Sequence, residues 1–214
     1  MKSLRRGDIK WSSNLAYAVG LIATDGNLSP DGRHIIFVSK DKEQIITFKH
    51  CLGIDNKISR KRGGYTGKKD YYVVQFGDVV LYRWLLGIGL TPNKSRTIGI
   101  LKVPDRYFFD FLRGHFDGDG SCFSYWDPRW KSSFMFYVTF NSASLDHIAW
   151  LRKTLHSLID VKGHVCHDGR KIIWQLKYAK RESKIVIKRL YSKRNTPRLM
   201  RKYKKIRKIL ATDK

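Results

Sequence analysis

The chain has 214 residues, 42% of them hydrophobic and 13% aromatic, with 43 Lys and Arg against 18 Asp and Glu for a formal net charge of +25. This excludes a disordered polymer and leaves room for one domain or two small ones, while the charge points to a polyanionic partner, nucleic acid first. No apolar run approaches a membrane span, and the opening M-K-S-L-R-R-G-D lacks the apolar core of a signal peptide, so an intracellular protein with no membrane partner is expected. Cys51, Cys122 and Cys166 are scattered and odd in number, as in a reducing compartment. His164, Cys166 and His167 lie close together, but a structural zinc needs four ligands and no second cluster supplies them.

In chain order, Ser12 or Ser13 caps a helix over residues 14–24. Gly26 then opens a hairpin through the Pro30-Asp31-Gly32 turn into a strand at 34–39. Residues 40–52 read as an amphipathic helix with Ile45, Ile46, Phe48, Cys51 and Leu52 apolar, closed by Gly53. Strands at 57–62 and 71–76 flank Gly63, Gly64 and Gly67, and Asp78 caps a helix to 86. After a connection carrying Lys94, Arg96 and Lys102, Pro104-Asp105 starts the next helix, and the order repeats. Strands at 121–125 and 133–140 surround Asp127-Pro128, and a helix covers 144–158. Strands at 161–166 and 171–177 surround Asp168-Gly169, and a helix covers 180–191. The basic tail R-L-M-R-K-Y-K-K-I-R-K is expected to be helical and close to the nucleic acid. The fold class is α+β, with two α-β-β-α-β-β-α halves at 1–95 and 105–214 and a linker at 96–104.

Each half contains one copy of a repeat. Y-A-V-G-L-I-A-T-D-G ends at Gly26, and F-D-F-L-R-G-H-F-D-G-D-G ends at Gly120; Gly20 matches Gly114 and Asp25 matches Asp119. Ala16, Gly20 and Thr24 fall four apart, as do Gly114 and Gly118, so the small residues share one helix face. Such a face lets two backbones approach closely. The two helices should therefore pack side by side with their C-terminal ends together, bringing Asp25 beside Asp119. There the helix dipoles are already negative and the last carbonyls are unpaired. Such a cluster of oxygens suits a hard divalent cation, Mg²⁺ or a relative such as Mn²⁺.

Each strand sends alternate side chains to opposite faces, leaving one face of each four-stranded set free. Candidates for contacting DNA are Arg33, Lys57, Arg60, Arg62, Tyr72 and Gln75 in the first half. In the second half they are Tyr125, Arg129, Lys131, Tyr137, Lys171, Gln175 and Lys177. A twisted β-ribbon fits the major groove, where Lys and Arg hold phosphates and Arg, Gln and Asn read base edges.

The paired motifs resemble those of the LAGLIDADG homing endonucleases in their single-chain form, and the resemblance spans nearly the whole chain. It implies two pseudo-twofold-related halves with the motif helices at their interface and the antiparallel sheets forming a DNA-binding saddle. It implies a monomer with internal pseudo-symmetry that cuts both strands of a long double-stranded DNA site, using divalent metal, across the minor groove. It also implies roles for particular residues: Asp25 and Asp119 as metal ligands, joined by the carbonyls of Thr24 and Gly118. Lys94 and Lys202 would be the basic residues near the metals, and Ser39 and Asn141 the polar residues that order water. Two positions depart from the signature: Ala23 replaces its first aspartate, which Asp117 keeps in the second copy, and Thr24 is bulkier than the usual Ala or Gly. The alternatives are an intron maturase that binds RNA and a non-cleaving DNA-binding protein on the same scaffold; neither role needs both aspartates.

Overall fold

A computed structural model describes residues 8–62, 71–169 and 172–213. The expected glycine turn at Gly63, Gly64 and Gly67, and Lys171, lie outside them. The first half runs α1 (Ser13–Asp25), β1 (Gly26–Leu28), β2 (His34–Ser39), α2 (Lys42–Leu52), β3 (Ser59–Lys61), β4 (Tyr71–Gly77) and α3 (Val79–Gly87). The second runs α4 (Asp105–Asp119), β5 (Ser121–Trp126), β6 (Phe134–Ser142), α5 (Leu145–Ile159), β7 (His164–Asp168), β8 (Ile173–Tyr178) and α6 (Lys180–Leu190), followed by α7 (Met200–Thr212). Both sheets are antiparallel and share one topology, β1-β2-β4-β3 and β5-β6-β8-β7. The fold is thus α+β, with the expected element order in both halves.

Local chemistry explains most boundaries. Ser12 Oγ accepts from the Leu15 N–H at 3.1 Å and starts α1, Asp78 caps α3 through the Leu81 N–H at 2.9 Å, and Ser144 caps α5. Each cap satisfies an N–H that the helix itself cannot pair. The strand expected from 161 begins only at His164, because Val161 is buried in the core and Gly163, at φ +57°, turns the chain first.

Helices cover one face of each sheet. Ile35, Phe37, Val74 and Phe76 fill the core below the first sheet, and Phe136, Val138, Phe140 and Leu176 fill it below the second. The connection between the halves is itself packed. Leu90, Ile98 and Leu101 are buried, Ser144 Oγ donates to the Ile98 carbonyl at 2.5 Å, and His147 Nδ1 meets the Gly99 carbonyl at 2.9 Å. Among the described residues, no helix is long and apolar enough to cross a membrane.

The halves join along α1 and α4, which touch backbone to backbone. A Cβ built on Gly20 would lie 2.1 Å from the Phe111 carbonyl oxygen, and one on Gly114 2.1 Å from that of Tyr17. Both obstacles are main chain and cannot rotate away. Gly20→Ala or Gly114→Ala is therefore expected to cost about 3 kcal/mol or more in urea unfolding. Gly87→Ala, with nothing within 4 Å of its added carbon, should stay within about 1 kcal/mol of the parent.

Candidate functional site

The nested helices deliver Asp25 and Asp119 to one place. Thr24 is accommodated because Gly118 lies opposite: a Cβ there would sit 2.0 Å from Thr24 Oγ1 and 2.9 Å from Asp25 Oδ2. The Thr24 hydroxyl is satisfied within its own helix, donating to the Leu21 carbonyl at 3.0 Å. Both carboxylates reach solvent, yet the crowded helix ends strip water from their flanks. That desolvation, followed by the charge of Asp119, raises Asp25 to about 7 against the lowering pull of Lys202 and Lys94. Desolvation also raises Asp119.

Two lysines flank the pair, one from each half. Lys94 is 5% exposed and donates to the carbonyl of Gly26, at the end of α1. Lys202 donates to the carbonyls of Phe116, Gly118 and Gly120, at 2.7, 2.9 and 2.6 Å, at the end of α4. Each ammonium thus ties down carbonyls that the helix leaves unpaired. Burial lowers both lysine pKa values, that of Lys94 to about 8.

The tail is seated by residues that the sequence reading did not assign to the site. Arg113, fully buried in α4, donates to the carbonyls of Pro197 at 2.7 Å and Leu190 at 2.9 Å and pairs with Asp110 at 2.7 Å. Asp117 Oδ2 accepts from the Leu199 N–H at 2.7 Å and the Tyr17 hydroxyl at 2.8 Å. The connection before α7 is therefore clamped to α4, and Lys202 follows within one turn. Asp117 has this structural task; Ala23, at the matching place in α1, has no side-chain group that could accept such bonds.

Asn141 and Ser39 part company. Asn141 Nδ2 donates to the Asp119 carbonyl at 2.6 Å and is itself held by Gln175 Nε2 at 2.9 Å. Ser39 lies on the helix-covered face. Its hydroxyl donates to Gln44 Oε1 at 2.6 Å, and Gln44 Nε2 donates to the Asp117 carbonyl at 2.9 Å. The sheet registers explain this. Val38 pairs with Val73 as Asn141 pairs with Gln175, so Asn141 corresponds to Val38, and Ser39 corresponds to Ser142. The hydroxyls of Ser39 and Ser142 both accept from the N–H two residues on, at 3.0 and 3.1 Å. A one-residue offset puts a side chain on the other face of a sheet.

The DNA-contact candidates also divide. Gln75, Tyr125, Tyr137, Gln175 and Lys177 occupy the open faces. Arg60 and Tyr72 pair across β3 and β4 on the opposite face, with the guanidinium 4.4 Å from the ring centre, because β4 has Gln75 outward and Tyr72 three residues away. Arg33, Lys57 and Arg62 are exposed beside the strands, and Lys131 is exposed in the β5–β6 loop. Arg129, in that loop, leans on Asp127 at 3.4 Å. His164 and Cys166 face outward while His167 packs on Trp174 across the sheet, so they do not converge on a metal.

A cleft of about 530 Å³ opens beside Asp119, lined by Thr24, Asn141 and Gln175 among others. Among the described residues, no three His, Cys, Asp or Glu side chains gather as a metal cluster. What the helix ends offer a cation is two carboxylates, backbone carbonyls and open water positions. This all-oxygen, incomplete shell fits Mg²⁺ or Mn²⁺, which keep water and accept substrate oxygens. The Gly118 carbonyl, already accepting from Lys202, retains a second lone pair.

Solved structures share this architecture. The chain is similar to the N-terminal LAGLIDADG domain of DUF199/WhiA at 16% identity, over 91% of this chain and 89% of that one, with a TM-score of 0.57. It is also similar to full-length DUF199/WhiA from Thermatoga maritima, at 16% identity over 99% of this chain and 64% of that one, TM-score 0.59. A third likeness is to the homing endonuclease I-DmoI in complex with DNA and Mn, at 17% identity over 85% and 98% of the two chains, TM-score 0.55. No family model and no curated protein matches the sequence. What is shared at such identities is the fold: this chain has the LAGLIDADG fold.

The folded pKa of Asp25 exceeds its unfolded value of 3.8. Ionising it therefore costs stability, and the cost grows as pH rises from 3.8 to about 7. In metal-free buffer, Asp25→Asn should raise the melting temperature at pH 8, with the gain shrinking toward pH 4. Solvent access keeps the gain to a few degrees, and calorimetry across that range checks it.

Proposed function

We propose that this chain is a site-specific, divalent-metal-dependent DNA endonuclease of the homing type, acting as a monomer on a long double-stranded target. The observation that carries the proposal is the meeting of Asp25 and Asp119 at two nested helix ends, both open to solvent and each flanked by a lysine. The net charge of +25 and the open faces of two sheets supply a surface for the phosphate backbone. I-DmoI, with the same fold, is seen bound to DNA and Mn.

Asp25, Asp119 and the carbonyls of Thr24 and Gly118 would hold the metal. Bound there, it would polarise a phosphoryl oxygen and make water a better nucleophile at neutral pH. The remaining roles belong to the chain. Lys94 and Lys202 fix the helix ends and keep positive charge beside the carboxylates, where an anionic phosphate gains negative charge during attack. The Gln175–Asn141 pair braces the Asp119 carbonyl and so the orientation of that aspartate. We place the halves at residues 1–95 and 105–214, with 96–104 as the linker, and the basic face of α7 beside the DNA. A maturase or a non-cleaving DNA-binding protein would have no use for two desolvated carboxylates, and the same assays distinguish these readings.

With Mg²⁺ and a randomised duplex library, cleavage at a defined sequence is expected. Asp25→Asn and Asp119→Asn should each lose on the order of 10²-fold or more in double-strand cutting, while still binding DNA in Ca²⁺. Cutting that survives both substitutions overturns the mechanism. Binding affinity should fall steeply from 50 to 200 mM salt as counterions are released.

A further inference from the structure

The open face of a sheet covered on one side is normally polar. Here it is not. In the first sheet, Ile36, Val38 and Val73 point away from the helices, with Val38 paired to Val73 across the strands. In the second, Phe123, Met135 and Tyr137 do the same, with Phe123 paired to Tyr137. All six are half-buried rather than sunk in the core. Each half thus presents an apolar island on the surface that the proposed function turns toward DNA.

The geometry of the second island narrows what can cover it. Phe123 and Tyr137 stack on each other, with ring centres 5.1 Å apart and planes 23° apart, and Tyr125 stacks on Tyr137 at 6.1 Å and 17°. The Lys177 ammonium sits 4.1 Å from the Tyr137 ring centre and 5.1 Å from that of Phe123. Neighbouring side chains take the faces of the central Tyr137 ring, so unpaired bases have little platform to stack on there, as single-strand binders require. What remains outward is ring edge and methyl surface. The same face continues through Lys177 and Gln175 to Asn141, which touches the Asp119 carbonyl. A ligand over the carboxylates therefore also lies over the island, and the strong positive charge selects a polyanion. The apolar group that duplex DNA offers in its major groove is the 5-methyl of thymine.

We infer that the two islands are thymine-methyl readers, so that the target carries T·A pairs on both flanks of the cleavage point. This rests on the DNA reading above, and the test separates the two. DNA bound by the full chain in Ca²⁺ is selected from a random duplex pool, and each thymine of the winning site is replaced in turn by uracil, which deletes only the methyl. Loss of one buried methyl should weaken binding about fourfold, at thymines in both half-sites. Val73→Ser, which removes both side-chain methyls and leaves a hydroxyl, should abolish the difference between thymine and uracil at its own position. A selected site whose affinity ignores every replacement overturns the methyl readers and leaves DNA binding standing. Failure to select any duplex overturns both.

Discussion

Backbone contact between α1 and α4 is the constraint on which the rest of the molecule depends. It needs glycine at two facing positions, since carbonyl oxygens occupy the space that a side chain would fill. Helices this close bury little side-chain area per residue, so the contact gains through dense main-chain packing. It also fixes relative height: with Gly20 against Gly114, Asp25 and Asp119 must finish level. The level meeting of the two carboxylates is thus a by-product of steric fit some distance along the helix.

That arrangement concentrates negative charge and unpaired carbonyls, which would push the helix ends apart if nothing opposed it. Lys94 and Lys202 oppose it from both sides, and each is partly desolvated in doing so. The balance is incomplete. Asp25 remains pushed up to about 7, and Asp119 is raised, even with two ammonium groups nearby. On the proposed reading a divalent cation would complete it, and the clamp of Arg113 and Asp117 on the tail holds Lys202 in place beside it.

Much of this was legible in the sequence because its determinants are local or repeated. Glycine spacing announces the helix contact, Asp25 and Asp119 announce themselves by register, and caps such as Ser12 and Asp78 mark helix starts. Parity along β4 would have separated Tyr72 from Gln75, but only once the strand was known to run unbroken. The equivalence of Ser39 and Asn141 failed because the hairpin in the second half is longer, and one residue of slip changes the face. The clamp on the tail was not legible at all. Arg113 looks like a break in an apolar helix, and its partners at Leu190 and Pro197 are backbone carbonyls that carry no sequence signal.

The halves share a backbone plan but not a chemistry. Behind Asp119 stand Asn141 and Gln175, joined to its carbonyl by hydrogen bonds. At the corresponding register positions of the first sheet stand Val38 and Val73, which can make no such hydrogen bond. Lys202 gathers three carbonyls and Lys94 one. A symmetric dimer could not differ in this way, since each change would appear in both copies. Joining the halves in one chain releases each to vary alone. On the proposed reading, the two strands of a duplex therefore meet unlike carboxylates, one braced by polar side chains and one without that brace. Divergence of that kind costs the fold little, because the glycines that align the helices lie away from the residues that differ.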